Sequence, residues 1–160
     1  MNTYMGCKLI QAEVMNLGDY NKYRGWNIPE NEDPNRAGYL VKYPDGYESW
    51  SPKEIFEDAY MQVEENKELS LKATITKEIA EGFIKAYQIS TIGDKTTLVK
   101  AILKNGYEII ETSSAADKFA YSEIVGAEMC KEKIINKVWD LLSFTLQYAA
   151  RGLNYVKFSS

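Results

Sequence analysis

The stretch "TTLVKAILKNGYEIIETS", residues 96–113, constrains the fold of this chain more than any other. Two runs rich in β-branched residues flank Asn105 and Gly106, the residue pair that best tolerates the positive φ angles of a type I′ hairpin turn. A two-residue turn predicts a register in which Lys100 lies opposite Glu111. The apolar face of the predicted hairpin comprises Val99, Ala101, Leu103 and Ile110.

Helical patterns lie on both sides of this hairpin. Thr76 is predicted to cap a helix over "KEIAEGFIKAYQ", whose large apolar residues recur every four positions. A long helix is predicted from about Ser122 to Arg151, ended by Gly152. Its predicted buried stripe comprises Ile124, Ala127, Ile134, Val138, Leu141, Leu142, Thr145 and Ala149. Because this helix is longer than one small hairpin can cover, we expect its surplus face to pack on the first helix and on a second copy of the chain.

A second hairpin is predicted in the first third of the chain, over "GYLVKYPDGYESW". Pro44 and Asp45 suit a type I turn, and Gly46 suits the left-handed residue that follows it. This three-residue turn places Leu40 opposite Trp50. The other face of the predicted hairpin carries Tyr39, Val41, Tyr43 and Tyr47.

Short helices are predicted before and after this second hairpin. Asn16 is expected to cap "LGDYNKY", which ends at "RGW". After the hairpin, "SPKE" predicts a helix capped by Ser51, with Glu54 completing a capping box. The predicted buried stripe of that helix comprises Ile55, Phe56, Ala59 and Tyr60.

These elements predict an α+β protein built of two small units, each an antiparallel hairpin or small sheet packed with helices, the second unit ending in the long helix. We expect an N-terminal β/α module at 1–62 and a hairpin-plus-helix domain at 74–160. Between them, the charged stretch "VEENKELSLKA", 63–73, is predicted to be a linker that is partly helical.

Composition excludes several classes of function. The chain has no histidine, and its two cysteines, Cys7 and Cys130, belong to no metal-spaced cluster. We therefore expect no metal, no cofactor and no enzymatic activity. The formal net charge of −4 disfavours duplex nucleic acid as a partner. With no apolar run long enough for a membrane helix and no signal-peptide pattern, we expect a cytoplasmic protein that does not bind membranes.

The C-terminal half resembles a small phage protein family named after gene product forty-nine of one phage and gene sixty-six of another. The resemblance covers roughly residues 74–150, through "ITKEIAEGFI", "TTLVKAILKNGYEI", "SSAADKF" and "EKIINKVWDLLSFTLQ". Its most specific element is the "NG-aromatic" hairpin, followed by a Ser-Ala segment and a helix with "K-x-W-x-L". Family members commonly continue Ser-Ala-Cys-Val, whereas this chain has "SSAAD". Where members carry arginines early in the last helix, this chain has Ala127 and Lys131.

The N-terminal segment resembles a leader module that begins many phage proteins. The similarity runs through "YN-x-x-RGW", "GYLVKYPDGY" and "SWSPKE", and covers about residues 8–60. Some of these phage proteins carry a second domain similar to an anti-defence protein of the Thoeris system, a sponge that sequesters a cyclic ADP-ribose immune signal. The resemblance implies a phage or prophage protein.

Candidate ligand-binding residues are found in both halves. Arg24 and Trp26 suit a phosphate and a stacked base; alternatively, Trp26 fills the core and Arg24 pairs with an acid of the adjoining loop. Trp50 and the Tyr47 face of the second hairpin could stack a ligand, contact the second unit or a second subunit, or be exposed. The remaining candidates are Ser113 and Ser114, which otherwise serve as ordinary caps, and Lys131.

The leading hypothesis is a non-enzymatic, homo-oligomeric phage protein that sequesters a small nucleotide-derived immune signal, such as a cyclic nucleotide or cyclic ADP-ribose. The alternative is an inhibitor or adaptor that binds a host protein. A nucleotide hydrolase is a third interpretation, disfavoured by the missing histidine and acid pair.

Overall fold

A computed structural model describes residues 1–154 of the chain. The described residues divide into two compact units, one formed by 1–62 with 148–154 and the other by 63–147. The strands are β1 (Gln11–Val14), β2 (Gly38–Lys42), β3 (Glu48–Pro52), β4 (Glu64–Glu65), β5 (Ala73–Thr74), β6 (Ile84–Ile92), β7 (Thr96–Leu103) and β8 (Glu108–Ser114). The helices are α1 (Leu17–Tyr23), α2 (Lys53–Ala59), α3 (Lys77–Gly82) and α4 (Glu123–Arg151), with one 3-10 turn at Lys118–Ala120.

The first unit contains an antiparallel sheet in the order β1-β2-β3. Leu40 pairs with Trp50 as predicted. The turn is also confirmed: the Tyr43 N–H donates to the Tyr47 carbonyl at 2.9 Å, and Gly46 has a φ of +87°. Leu40 and Val41, on opposite faces of β2, are each only 1% exposed. Both faces of this small sheet are therefore covered at its centre.

The two short helices of the first unit begin differently. The Asn16 side chain accepts a hydrogen bond from the Asp19 N–H at 2.7 Å, which confirms the predicted cap of α1. The predicted Ser51 cap of α2 is wrong, because β3 continues through Pro52 and the helix begins at Lys53. Strand pairing with β2 extends to Pro52, which occupies the cap position and has no side-chain oxygen, so the capping box does not form.

The predicted buried stripe of α2 is half correct. Phe56 and Tyr60 are partly buried, whereas Ile55 is 63% exposed and Ala59 is also exposed. The later start of the helix and its short length of seven residues leave only one narrow side against the sheet.

The segment between residues 63 and 73 contains no helix. Its ends form the two-stranded ladder β4-β5, in which Glu64 pairs with Thr74 and Glu65 with Ala73. Lys72 has a φ of +55° in the tight connection between them. The expectation of partial helix was wrong because closure of this small loop satisfies the backbone instead.

The second unit contains an antiparallel sheet in the order β6-β7-β8. Thr76 caps α3 as predicted, by accepting a hydrogen bond from the Ile79 N–H at 3.2 Å. The helix ends at Gly82, however, and the predicted continuation is the nine-residue strand β6. A four-residue recurrence of apolar residues fits a short helix followed by a strand equally well. Pairing along β7 decides in favour of the strand.

The hairpin β7-β8 forms, but its predicted register is off by one residue. The Leu103 N–H donates to the Tyr107 carbonyl at 2.8 Å, so the turn has three residues rather than two. Gly106 has a φ of +86°. Lys100 consequently pairs with Ile110 rather than Glu111. A slip of one residue exchanges the faces of β8, so Ile109 is buried and Ile110 is exposed.

The core of the second unit lies between α4 and the central strand β7. Thr97, Val99, Ala101 and Leu103 alternate with half-buried residues along β7 and line this core. The buried side of α4 comprises Gly126, Ala127, Cys130, Ile134, Val138, Leu142 and Leu146. Of the predicted stripe, Ile124, Leu141 and Thr145 are exposed. The predicted end of α4 is confirmed, since Gly152 follows Arg151 with a φ of +59°.

The predicted α+β class, with small antiparallel sheets, helices and a long final helix, is confirmed. Both cysteines are free thiols, Cys7 exposed and Cys130 buried.

Candidate ligand-binding surface

Arg24 and Trp26 lie next to each other at the end of α1, as the sequence indicated. Arg24 is the C-terminal cap residue, and Gly25 follows with a φ of +70°. The backbone N–H of Trp26 donates to the Asn21 carbonyl at 2.8 Å, so the chain folds back against α1 after Gly25. The guanidinium carbon of Arg24 lies 5.0 Å from the centre of the indole ring, a cation–π distance.

This Arg24–Trp26 pair is accessible. Trp26 is 54% exposed, and its ring meets the buried ring of Tyr20 edge-on, with centroids 5.9 Å apart. Among residues 1–154, Arg24 forms no ion pair with a carboxylate. Trp26 therefore does not fill the core, and the N–H groups of the guanidinium remain available to an anion.

Tyr23 lies beside the pair and fastens α1 to the sheet. Its hydroxyl donates to a Glu48 carboxylate oxygen at 2.9 Å. That hydrogen bond, followed by partial burial and the nearby negative charge, raises the pKa of Tyr23 above its usual value. Glu48 also lies 3.5 Å from the ammonium of Lys42. The end of α1 is thus held against β3 by a polar cluster that leaves Arg24 outside it.

Trp50 is half-buried and engaged in structural contacts. Its indole N–H donates to the Met15 carbonyl at 2.8 Å, and the Arg36 guanidinium lies 5.7 Å from its ring. Gly38 lies directly beneath the ring, since a Cβ there would come within 2.3 Å of the indole. Of the predicted aromatic candidates on the hairpin, Tyr47 is the accessible one, at 63% exposure in the turn.

The tyrosine face of the hairpin is covered by α2, an arrangement that the sequence left undecided. Tyr39 stacks on Phe56 at 4.1 Å between ring centroids, and Phe56 stacks on Tyr60 at 4.9 Å. The Tyr39 hydroxyl donates to Glu57, which raises the pKa of that tyrosine. Burial, followed by a hydrogen bond with Tyr43, raises the pKa of Tyr60. The part of this face formed by Tyr39 and Tyr43 therefore packs within its own unit, whereas Tyr47 remains exposed.

Ser113 and Ser114 lie in β8, where strand pairing uses the backbone, rather than between hairpin and helix. Consecutive strand residues point to opposite faces. The Ser113 hydroxyl donates to the sulfur of Met129 at 3.7 Å, and Ser114 shares a 2.8 Å hydrogen bond with Thr96. The two hydroxyl groups therefore do not converge on one ligand.

Lys131 projects from α4 toward the β6 edge of the sheet. Its ammonium lies 2.9 Å from a Glu128 oxygen and 5.4 Å from the centre of the Tyr87 ring. Burial, followed by the charges of Glu81 and Glu128, raises the pKa of Tyr87. The charge of Lys131 is largely neutralised by Glu128, which weakens its attraction for an anion.

An apolar groove between β8 and α4 was missed by sequence reasoning. Its volume is about 570 Å³, and its apolar lining comprises Tyr107, Ile109, Ile110, Leu141 and Phe144. Phe144 is 74% exposed. Apolar residues occupy every fourth position from Cys130 to Leu146, and these are the buried ones. This spacing was the sequence signal that could have placed Leu141 and Phe144 outside the core.

Among residues 1–154, no group of three or more cysteine, aspartate or glutamate side chains is arranged to hold a metal ion. None of the helices between residues 1 and 154 is long and apolar enough to cross a membrane.

Comparison with protein families identifies one match. Residues 72–150 match the model of the phage protein (N4 Gp49/phage Sf6 gene 66) family. Comparison with curated proteins and with solved structures gives no significant match. The matched range contains β6, β7, β8 and nearly all of α4, and it supports a phage protein. The resemblance of the N-terminal segment to a phage leader module stays a prediction.

Proposed function

We propose that this protein is a non-enzymatic phage protein that binds and sequesters a small nucleotide-derived immune signal. The Arg24–Trp26 pair carries the proposal, because it combines an exposed indole with a guanidinium that no carboxylate neutralises in residues 1–154. Nucleobases stack on indole rings and on guanidinium planes, and the guanidinium fork matches phosphate oxygens. Similarity of residues 72–150 to a phage family is consistent with this role.

The geometry of the pair is suited to rigid recognition. The backbone bond to Asn21 and the edge-on contact with Tyr20 restrict the indole before a ligand arrives. A restricted ring loses little conformational entropy on binding. The ligand expected here has one planar base and at least one phosphate, as cyclic nucleotides and cyclic ADP-ribose isomers do.

The test is binding of cyclic dinucleotides and cyclic ADP-ribose isomers, followed by thermal shift and by recovery of the ligand after denaturation. A stabilising ligand recovered intact supports sequestration, whereas recovery of a cleaved product would make the protein an enzyme. Absence of binding across this panel would contradict the proposal.

Variants locate the site. Arg24→Ala and Trp26→Ala should each weaken binding by at least tenfold, since each removes one half of the recognition. Lys22→Ala is the matched control, because Lys22 lies on the same helix and pairs with Asp19 at 3.6 Å. If Lys22→Ala weakened binding as much as Arg24→Ala, general positive charge rather than the pair would be responsible.

A second candidate is an inhibitor or adaptor that binds a host protein. It is favoured by the exposed aromatic residues of the first unit, namely Tyr23, Trp26 and Tyr47, because tyrosine and tryptophan are enriched at protein interfaces. Purification from host lysate separates the two candidates. A stoichiometric protein partner favours the adaptor, and a bound small molecule absorbing near 260 nm favours the sponge.

A further inference from the structure

One side of α4 faces the outer edge of the sheet and forms a row that no other element within residues 63–147 covers. Ser113 of β8 contacts Met129, the Lys133 ammonium donates to the Thr112 carbonyl at 3.3 Å, and Lys137 pairs with Glu111. Further along the helix, Asp140, Leu141 and Phe144 line the groove beside β8. We call Met129, Lys133, Lys137, Asp140, Leu141 and Phe144 the β8-side row.

The three apolar side chains of the β8-side row are exposed to solvent. Met129 is 53% exposed, Leu141 44% and Phe144 74%. Across the groove, Tyr107 is 59% exposed. Contiguous exposed apolar residues bordered by charges are characteristic of interaction sites.

The adjoining edge of β8 has unpaired backbone groups. The bond from Leu103 to Tyr107 begins an alternation in which Glu108, Ile110 and Thr112 direct their N–H and C=O groups away from β7. The contact between Lys133 and the Thr112 carbonyl agrees with this direction. Near the groove, no residue among 1–154 forms a hydrogen bond with the backbone N–H or C=O of Ile110. An open edge strand is a template for another strand.

We propose that this surface is a two-fold interface with a second copy of the chain. The midpoint of the helix between Met129 and Phe144 coincides with the midpoint between Lys133 and Asp140. When two copies of α4 pack antiparallel about that point, Met129 meets the partner's Phe144. The same arrangement places Lys133 beside the partner's Asp140. Met129, Lys133, Asp140 and Phe144 are therefore complementary to the same four positions of a second copy, which is the requirement of a two-fold interface.

The charges favour a second copy as the occupant of the groove. Lys133 and Asp140 form no ion pair in the described part of the chain. They are seven residues apart on one helix, or about 10.5 Å along its axis, too far to pair with each other. An antiparallel partner supplies the opposite charge for both at once, giving two equivalent ion pairs.

The sheet edge fits the same symmetry. Lys137, next to the midpoint of the row, pairs with Glu111, so the two-fold axis that relates the helices also passes beside the middle of β8. The partner's β8 would then lie antiparallel along the open edge and join two three-stranded sheets into one of six strands. The contact along α4 would extend over roughly 22 Å.

Sedimentation equilibrium of the full chain tests this interface. The expected mass is twice the 18.3 kDa of the chain at micromolar concentration. Lys133→Glu and Asp140→Lys should each raise the dimer dissociation constant by about tenfold or more, since each creates two like-charge contacts across the axis. The double variant should restore the dimer, because both pairs are re-formed with exchanged signs.

Phe144→Glu tests the apolar part of the row, and Phe119→Glu is the matched control. Both rings are exposed, at 74% and 87%, so neither change disturbs the core, but Phe119 lies outside the row. Dissociation by Phe144→Glu alone supports the interface. A monomeric wild type, or a double charge variant as weak as the single ones, would overturn the proposal. Equal effects of the two phenylalanine variants would also overturn it. None of these results depends on whether the nucleotide ligand of the proposed function exists.

Discussion

Gly126 allows α4 to approach the sheet closely. A Cβ at this position would meet the Thr97 hydroxyl oxygen at 2.2 Å and the Thr97 Cβ at 2.8 Å. Thr97 is fully buried and cannot retreat, and its hydroxyl shares a hydrogen bond with Tyr121 at 2.9 Å. The small residue is therefore required by packing, although glycine weakens a helix.

We predict that Gly126→Ala lowers the free energy of unfolding by about 1–3 kcal/mol, because overpacking outweighs the gain in helix propensity. Gly82→Ala is the control, since nothing lies within 4 Å of a Cβ built in the last position of α3. Urea denaturation of the two variants measures the difference. Equal stabilities would contradict the close approach at Gly126.

Cys7 and Cys130 form an internal pair for a labelling experiment. Cys130 is fully buried, its thiol lies 3.9 Å from the Thr97 carbonyl, and burial raises its pKa. Because the reactive species is the thiolate, a raised pKa and burial both slow its reaction.

At pH 8, we expect a thiol reagent to label one equivalent in the native protein, at Cys7, and the second only after unfolding. Mass spectrometry of the modified peptides identifies the site. The raised pKa also means that Cys130 stabilises the fold at pH values below its unfolded pKa, and that this contribution is lost as the pH rises through the folded value. Rapid native labelling of Cys130 would contradict its burial in the core.

At the scale of elements, the caps of the short helices differ in their side-chain contacts. Asn16 bonds the Asp19 N–H at the start of α1, whereas α2 begins after Pro52 without a side-chain cap. The Ser51 hydroxyl instead lies 3.4 Å from the Pro52 carbonyl.

We predict that Asn16→Ala lowers the free energy of unfolding by about 1 kcal/mol, as loss of an N-cap does. Ser51→Ala should change it by less than about 0.5 kcal/mol, because no cap is removed. Chemical denaturation of both variants tests the contrast. A larger loss from Ser51→Ala than from Asn16→Ala would show that α2 is capped by serine after all.

The two hairpins share one turn geometry although their sequences were interpreted differently. In each, an Asp or Asn side chain accepts from the backbone N–H two residues later: Asp45 from Tyr47 at 3.0 Å, and Asn105 from Tyr107 at 3.1 Å. The sequence predicted this turn correctly at "YPDGY" and assigned a shorter one at "LKNGY". Proline defines the first turn locally, whereas Asn-Gly is compatible with both lengths.

At the scale of the whole molecule, the formal charge of −4 opposes binding to a phosphate backbone. We predict no sequence-independent binding to duplex DNA at about 0.15 M salt, measured by fluorescence anisotropy up to roughly 10 μM protein. A basic DNA-binding protein serves as the positive control. Binding that weakens steeply with added salt would show that the chain concentrates positive charge on one surface.

The sequence alone determined the features that depend on neighbouring residues. The caps at Asn16 and Thr76, the turn at Gly46 and the end of α4 at Gly152 each follow from short-range chemistry. The sequence also predicted that Arg24 and Trp26 lie close together, because only Gly25 separates them at the end of α1. The α+β class followed from the alternation of these local patterns.

Tertiary structure decided everything that depends on a distant partner. Pairing with β7 made residues 84–92 a strand, and a one-residue slip turned Ile109 inward and Ile110 outward. Packing on α2 covered Tyr39 in the β2-β3 hairpin, whereas Trp26 lies outside the core and is exposed. Local patterns cannot settle these points, because burial and register are set by the free energy of contacts between residues far apart in the chain.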